Sequence, residues 1–406
     1  MTIIKEKKPS LLIMQLRYDH NSPRDIRTTN LLPYLKDKYT ITIIAMEYPF
    51  KRKKIEGVRV IRIPYSFFSR YIFNKTESGY RPKGILKFLS RGLSYVGNKL
   101  FGFPDPWIWE IKKIKKVIQK NLDPPDLIIC SILPFSSGEI IRQLCAKPKW
   151  KKAKVILDIG DPLAHNSTAI TISKKAMDYE HKILDFANTI IITNSPTAKH
   201  YSKTYKIQEK KLEVIPQGVD TNLFKPKKSV QKINQRIKLI YAGAFYKNLR
   251  DPSVFLNTIA KNKYDHIEVN LFSEISIYGN FSHSQNIIVR ERINHAKLVQ
   301  EYQNADILIM FDNAYGMQTS GKIYELLSFE KPILFIYSNE KSSLYQEVKD
   351  YENVIVCHNS EKEIQEFFRN INMEKLNTQQ SSYNREDFSW KNRADHFIEI
   401  TSSLLE

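Results

Sequence analysis

Thr319-Ser320-Gly321-Lys322-Ile323-Tyr324-Glu325-Leu326-Leu327, with Lys331-Pro332-Ile333-Leu334 behind it, reads as a helix start followed by a strand. Thr319 and Ser320 are good N-cap types, Gly321 is permissive, and Glu325 lies one turn in from Lys322. Free N–H groups and a positive dipole end suit a phosphate, and a carboxylate one turn on accepts two hydroxyls, such as those of a ribose. A nucleoside diphosphate meets both demands. Well upstream lies Val214-Ile215-Pro216-Gln217-Gly218-Val219-Asp220, continuing to Phe224-Lys225-Pro226. Taken singly, Gly after Pro-Gln is a turn signal, and Lys-Pro before an apolar run is a common helix-to-strand connection.

Around these segments, short apolar runs alternate with helical patterns, as in parallel-sheet α/β domains. In the front half, strands are expected at Leu11–Gln15, Thr40–Ala45, Val58–Ile63, Leu127–Ser131, Val155–Asp158 and Thr189–Thr193, with helices such as Thr28–Lys36 and Trp107–Lys120. In the back half they are expected at Lys238–Ala242, Glu268–Phe272, Ile287–Val289, Ile307–Phe311, Ile333–Ile336 and Val354–Cys357. At 406 residues and 42% hydrophobic the chain can bury two cores. Lys225–Arg236 is the most linker-like stretch, and the end of the chain, Phe388-Ser389-Trp390-Lys391 with Ala394 and Phe397-Ile398, reads as an amphipathic helix. Cys130, Cys145 and Cys357 are scattered and lack ligand spacing, which argues for a reducing cytosol without disulfides or zinc. Met1 to Lys8 is charged and reads as no export signal, and no apolar run approaches the roughly 20 residues that span a bilayer.

Together the two opening segments resemble the nucleotide-sugar half of family 4-type glycosyltransferases of GT-B fold. The resemblance covers nearly the whole chain but is specific only in residues 212–226 and 319–334. It implies two doubly wound Rossmann-like domains facing a central cleft. Residues 1–208 and a returning C-terminal helix (about 388–406) would form the acceptor domain, and residues 209–387 the nucleotide-sugar domain. It also implies transfer of a sugar from a UDP- or GDP-sugar, with retention, to a saccharide or lipid-linked acceptor in bacterial surface polysaccharide synthesis.

Carried over residue by residue, the resemblance assigns Glu325 to the donor ribose and places Gly243, Ser320, Gly321, Lys322 and Ile323 on the donor. The first glutamate of the family's Glu-x7-Glu signature would fall at Met317 and is absent, which resembles a Ser-Lys-x-Tyr-Glu subgroup with Gly321 inserted. Tyr241-Ala242-Gly243-Ala244 ends a strand on a glycine, where backbone can approach a ligand closely. The family's arginine after that glycine is replaced by Ala244, so Arg250, and next Lys247, stand in as catalytic cations for the diphosphate. Asp161, in Asp158-Ile159-Gly160-Asp161, either faces the acceptor or transferred sugar or caps the following helix. Arg24 and Arg27 are candidates for a phosphate on donor or acceptor, and Glu180 resembles a recurring structural glutamate. Gly316 to Lys322 nearly matches a P-loop, but Ile323 lacks the magnesium-binding hydroxyl.

No Asp-x-Asp triplet is present to hold a metal-bound nucleotide, so no metal and no cofactor are expected. Leaving-group stabilisation would come from helix dipole and Lys/Arg instead. Two alternatives stay open. A sugar-nucleotide epimerase can share the fold, but needs cleft acid/base groups. A non-catalytic polyanion-binding protein would use aromatics among the basic residues, which Tyr65, Phe67, Phe68, Tyr71 and Phe73 partly supply.

Charge is uneven: residues 1–250 carry 48 Lys and Arg against 20 Asp and Glu, and residues 251–406 carry 15 against 23. Residues 51–120 alone hold 18 basic against 4 acidic side chains. Within them, Pro82–Gly102 spaces Ile85, Leu86, Leu89, Leu93, Val96 and Leu100 helically among Lys83, Lys87, Arg91 and Lys99. That is the composition of a helix lying on anionic lipid or packed on its own domain. The expected partners are thus a nucleotide-sugar, an acceptor and an anionic membrane, without nucleic acid, at the inner face of the plasma membrane. Vesicle sedimentation checks the membrane expectation. Binding to phosphatidylglycerol but not neutral vesicles should weaken as salt shortens the Debye length from about 10 Å at 0.1 M to about 3 Å at 1 M. Equal binding to both vesicle types, or none to either, contradicts it.

Overall fold

Isoleucine-rich runs that are apolar on both faces need cover on both faces, and they obtain it here as parallel strands flanked by helices. In the computed structural model the described residues are 8–18, 22–47, 54–66, 102–164, 173–223, 236–262, 264–281, 283–315, 319–373, 376 and 383–406. The chain divides into two units: residues up to Pro216 with Arg393–Glu406, and Gln217–Asn392.

In the first unit β1 (Ser10–Met14), β2 (Thr40–Met46), β3 (Val58–Ile63), β4 (Leu127–Ile132), β5 (Lys154–Ile159), β6 (Thr189–Ile192) and β7 (Leu212–Val214) form one parallel sheet, ordered β3-β2-β1-β4-β5-β6-β7. Its helices among the described residues are α1 (Pro23–Leu35), α2 (Ile111–Asn121), α3 (Ser136–Cys145), α4 (Lys174–Asp185) and α5 (Ser195–Tyr205). Every residue of β4 is buried, as the central position demands. The second unit orders β8 (Ile237–Ala242), β9 (Ile267–Phe272), β10 (Ile287–Arg290), β11 (Ile307–Phe311), β12 (Ile333–Tyr337) and β13 (Val354–His358) as β10-β9-β8-β11-β12-β13. Its helices are α6 (Ser253–Lys261), α7 (His295–Asn304), α8 (Lys322–Leu327), α9 (Ser343–Val348) and α10 (Glu361–Asn370), and α11 (Trp390–Leu405) ends the chain.

Three expectations shift. β7 is an additional edge strand, three half-buried residues without the apolar run that marks its neighbours. It extends the first sheet past the expected boundary at 208, and the unit ends at Pro216. α1 starts earlier than Thr28 because Ser22 caps it, accepting the Asp25 N–H at 3.2 Å, and Pro23 takes the first turn. The Trp107–Lys120 helix is split into a 3-10 turn, Pro106–Glu110, and α2. The Pro82–Gly102 helix, most of the Lys225–Arg236 stretch, and Phe67, Phe68, Tyr71 and Phe73 lie outside the described residues. No helix among the described residues is long and apolar enough to cross a membrane.

The first unit is organised around a buried charge. Arg27 is 0% exposed and donates through Nε to Asp158 Oδ2 at 3.1 Å, through Nη1 to the Pro216 carbonyl at 2.8 Å, and through Nη2 to the Ile215 carbonyl at 2.9 Å. The Phe397 ring of α11 lies 5.1 Å from its guanidinium carbon. Arg24 Nη1 meets the other Asp158 oxygen at 3.0 Å, across Gly160, where a Cβ would collide with its guanidinium. Burial alone would raise the Asp158 carboxyl, but the two arginines hold it below its ordinary range. Burial lowers Arg27 to about 10 against the pull of Asp158. The expectation that Arg27 contacts a ligand phosphate is therefore corrected: Asp158 and two carbonyls take its donors and it has no exposed surface to offer, while Arg24 pairs with Asp158 through Nη1.

Removing one partner of a buried pair leaves an uncompensated charge, so Arg27→Ala should destabilise the first unit by about 3–5 kcal/mol. Chemical denaturation followed at that unit's transition checks this, and a loss under about 1 kcal/mol contradicts it. Because the Asp158 pKa is lowered on folding, its contribution is fully present above the unfolded carboxyl value. It is lost as pH falls through the folded one.

The second unit is pinned where it begins and ends. Val219 N–H donates to the Phe388 carbonyl at 2.9 Å and Trp390 N–H to the Val219 carbonyl at 3.1 Å. A Cβ at Gly218 would stand 2.5 Å from the Trp390 indole, so only glycine lets the two segments touch.

Candidate active site

In a doubly wound sheet the connections leave to opposite sides at the strand pair where the order reverses, opening a crevice at the carboxyl ends. In the second unit that pair is β8 and β11. β8 delivers Ala242 and Gly243, and β11 delivers Asp312 and Asn313. Lys322, the first residue of α8, donates its ammonium to the Ala242 carbonyl. A Cβ on Gly243 would stand 2.9 Å from the Tyr241 hydroxyl and 3.1 Å from Lys322 Nζ. The bare glycine is what lets the ammonium reach the end of β8.

The two sequence segments meet here. A Cβ on Gly321 would lie 2.8 Å from Gln217 Cβ, so Gln217 packs on the start of α8. That start differs from expectation. Gly321 is the N-cap, no side chain caps it, and the helix is six residues long. The Ser320 carbonyl accepts the Ile323 N–H at 3.2 Å. A helix this short has a weak dipole, so the positive charge at this place comes from Lys322. Ile323 is 0% exposed in the core, so its side chain anchors α8 and is not available to a donor.

Glu325, half-buried one turn on, accepts a hydrogen bond from His295 Nε2 at 2.7 Å. His295 opens α7 and was not singled out in the sequence; its signal was a helix-start histidine after the Asn294 cap. The Glu325 hydrogen bond raises the His295 pKa, burial opposes it, Glu325 and Asp220 add attraction, and Lys322 repels. Burial lowers the Lys322 ammonium, Glu325 raises it, and Arg250 and Arg292 lower it further. Phe272, Arg290, Glu291, Ile293, Lys297 and Gln300 line a pocket of about 340 Å³ beside α7.

Lys247 and Arg250 part company. Tyr246 and Arg250 pair as an antiparallel bridge that pinches the residues between them into a turn, with Asn248 at φ 67°. Lys247 is exposed on that turn, whereas Arg250 is half-buried, its Nη2 donating to Asn313 Oδ1 at 2.8 Å. Burial raises the Tyr241 phenol to about 12, and the charge of neighbouring Arg250 opposes that rise. Asp312 is pushed up to about 6 by burial, although Ser342 and the Asn313 N–H donate to it.

In the first unit Asp161 lies on the loop after β5. It does not cap α4, since Ser173 takes that place. Glu180 fixes the loop, accepting from Leu163 N–H at 2.8 Å and Ala164 N–H at 3.1 Å while Tyr201 and Tyr205 donate their hydroxyls to it at 2.8 and 2.7 Å. His165 and Gly316 to Gln318 lie outside the described residues.

His295 should titrate above the ordinary histidine value of about 6.5 and return toward it in Glu325→Gln. Its stabilising contact with Glu325 is fully present below the unfolded value and lost as pH rises through the folded one. Nuclear magnetic resonance titration of the imidazole checks this, and an identical midpoint in the variant contradicts it.

No family model matches the sequence, and no curated protein matches it. Solved structures do. Sucrose-phosphate synthase from Thermosynechococcus elongatus is similar over 98% of this chain and 99% of its own, with 14% identity and a TM-score of 0.63. HepE of Anabaena, in complex with UDP and glucose, is similar over 97% of this chain and all of its own, with 12% identity and a TM-score of 0.63. The lipopolysaccharide outer core galactosyltransferase WaaB, in its apo form, covers 97% of this chain and 99% of its own, with 11% identity and a TM-score of 0.61. At such identities the likeness shows the fold: two Rossmann-like α/β domains of the GT-B glycosyltransferase type.

Proposed function

We propose that this chain is a glycosyltransferase that moves a hexosyl group from a UDP- or GDP-sugar to a saccharide or lipid-linked acceptor, with retention, in surface polysaccharide synthesis. The observation that carries the reading is the row Glu325, Lys322, Arg250 at the strand pair where the second sheet reverses. A carboxylate followed by two cations matches a ribose followed by a diphosphate. The pocket on α7, the helix that His295 opens, takes the nucleobase. HepE's complexes with UDP and UDP-glucose, and the galactosyltransferase similar to this chain, support a nucleotide-sugar donor.

Glu325 accepts the ribose hydroxyls, and Lys322 turns from the Ala242 carbonyl to the diphosphate. Negative charge grows on the departing diphosphate oxygen as the glycosidic bond breaks. Fixed cations there stabilise the transition state more than the ground state. No metal is required in this scheme, since Lys322 and Arg250 supply the charge. Asp161, on the loop that Glu180 holds, faces the acceptor or the transferred sugar. The basic first unit binds the acceptor at an anionic membrane surface, on the inner face of the plasma membrane.

Calorimetry with UDP and GDP in excess EDTA tests the reading. One of the two should bind the wild type, and Glu325→Ala should weaken it about tenfold or more, as expected for hydrogen bonds to a charged group worth about 1.5–3 kcal/mol. Unchanged affinity in the variant removes Glu325 from the site. Binding or turnover that needs added metal contradicts the metal-free scheme.

A further inference from the structure

The loop after β8 holds Arg250 in a way that its place in the sequence does not foretell. Arg250 N–H donates to the Tyr246 carbonyl at 2.8 Å, and Tyr246 N–H donates back to the Arg250 carbonyl at 3.2 Å. This small hairpin folds the chain back, so that Arg250 stands beside Tyr246 and near Tyr241 at the end of β8. A second tie comes from β11: Ala314 N–H donates to the Leu249 carbonyl at 2.7 Å. The third is the side-chain bond from Arg250 Nη2 to Asn313 Oδ1 at 2.8 Å. Asn313 is itself set by its own N–H on Asp312 Oδ1 at 2.8 Å, and the Ser342 hydroxyl holds the other Asp312 oxygen.

Arg250 differs from Arg27 in what it is given. Arg27 meets a carboxylate and two carbonyls that use up its donors. Arg250 bonds a neutral amide oxygen and forms no ion pair among the described residues; Asp312 and the Tyr241 phenol act on it without taking that place. An oriented guanidinium that no carboxylate bonds directly keeps donors for an anion. Two arginines act on Lys322; Arg292 is exposed, and Arg250 is the anchored one. Glu325 lies one turn along α8 from Lys322, the Lys322 ammonium reaches the end of β8 at Ala242 and Gly243, and Arg250 is tied to Asn313 just past β11. The order along the site is therefore Glu325, then Lys322, then Arg250.

We infer that Asn313 is a positioning residue: its side-chain oxygen holds Arg250 beside the end of β8, where the guanidinium takes the phosphate farther from the nucleoside. This rests on the donor reading of the site and adds a selectivity to it. The site distinguishes nucleoside diphosphates from monophosphates through Asn313 and Arg250, while Glu325 and Lys322 serve both.

The full-length chain titrated calorimetrically with UDP, UMP, GDP and GMP tests the inference, with thermal melts on each variant. Asn313→Ala should cut diphosphate affinity about tenfold and leave monophosphate affinity within about twofold. Arg250→Ala should do the same, and the double variant should be no weaker than Arg250→Ala, since a positioning residue has nothing left to position. Asn313→Asp keeps the acceptor oxygen and the packing but pairs the guanidinium with a carboxylate. It should show the same diphosphate-selective loss even where the alanine variant folds poorly. Equal losses for mono- and diphosphates, additive losses in the double variant, or unchanged selectivity in Asn313→Asp would each overturn it. Wild-type protein that binds neither UDP nor GDP overturns the donor reading and this inference with it. Wild-type binding with variants that keep their selectivity overturns this inference alone.

Discussion

A parallel sheet ends all its strands on one edge, and the chain's chemistry depends on that constraint. Ala242 and Asp312 are far apart in sequence, yet β8 and β11 lie side by side and finish together. The loops that follow carry Gly243, Arg250 and Asn313, and the helix after the β11 loop carries Lys322 and Glu325. No long excursion of the chain is needed to gather them. A slip of strand order at this pair would scatter the whole row.

The two units treat buried cations in opposite ways. In the first, one carboxylate, Asp158, pairs with both Arg24 and Arg27, and backbone carbonyls accept from the other donors of Arg27. The result is cohesion: α1, β5, the end of the first sheet and α11 share one electrostatic knot. In the second, Lys322 rests on a carbonyl and Arg250 on an amide, both acceptors without charge. Carboxylates stand near both, Glu325 by Lys322 and Asp312 by Arg250, without bonding either.

This is also where sequence reading stopped. The strand runs stood out because β-branched, isoleucine-rich segments of buried parallel strands carry their own signature. β7 lacked it, being a half-exposed edge of three residues. The Ser320–Glu325 stretch was legible as a helix start, but its cap was not, because Gly321 took the position that Ser320 was expected to fill. Arg27 and Arg250 looked alike in one dimension; only the partners across the fold tell them apart. His295 carried no signal beyond a helix-start position, since its meaning lies in a contact with Glu325 thirty residues away.

The return of α11 bears on how the chain comes off the ribosome. Phe397 lies under Arg27, and Thr401, fully buried, accepts the Tyr39 hydroxyl at 2.6 Å. The first unit therefore lacks part of its own core until Arg393–Glu406 has been synthesised. The second unit is one contiguous stretch, Gln217–Asn392, whose ends are fastened together through Val219 and Trp390. It can be complete while the earlier-made unit still waits. Domains generally fold in the order of their synthesis; here the half that is translated first is the half that must be finished last.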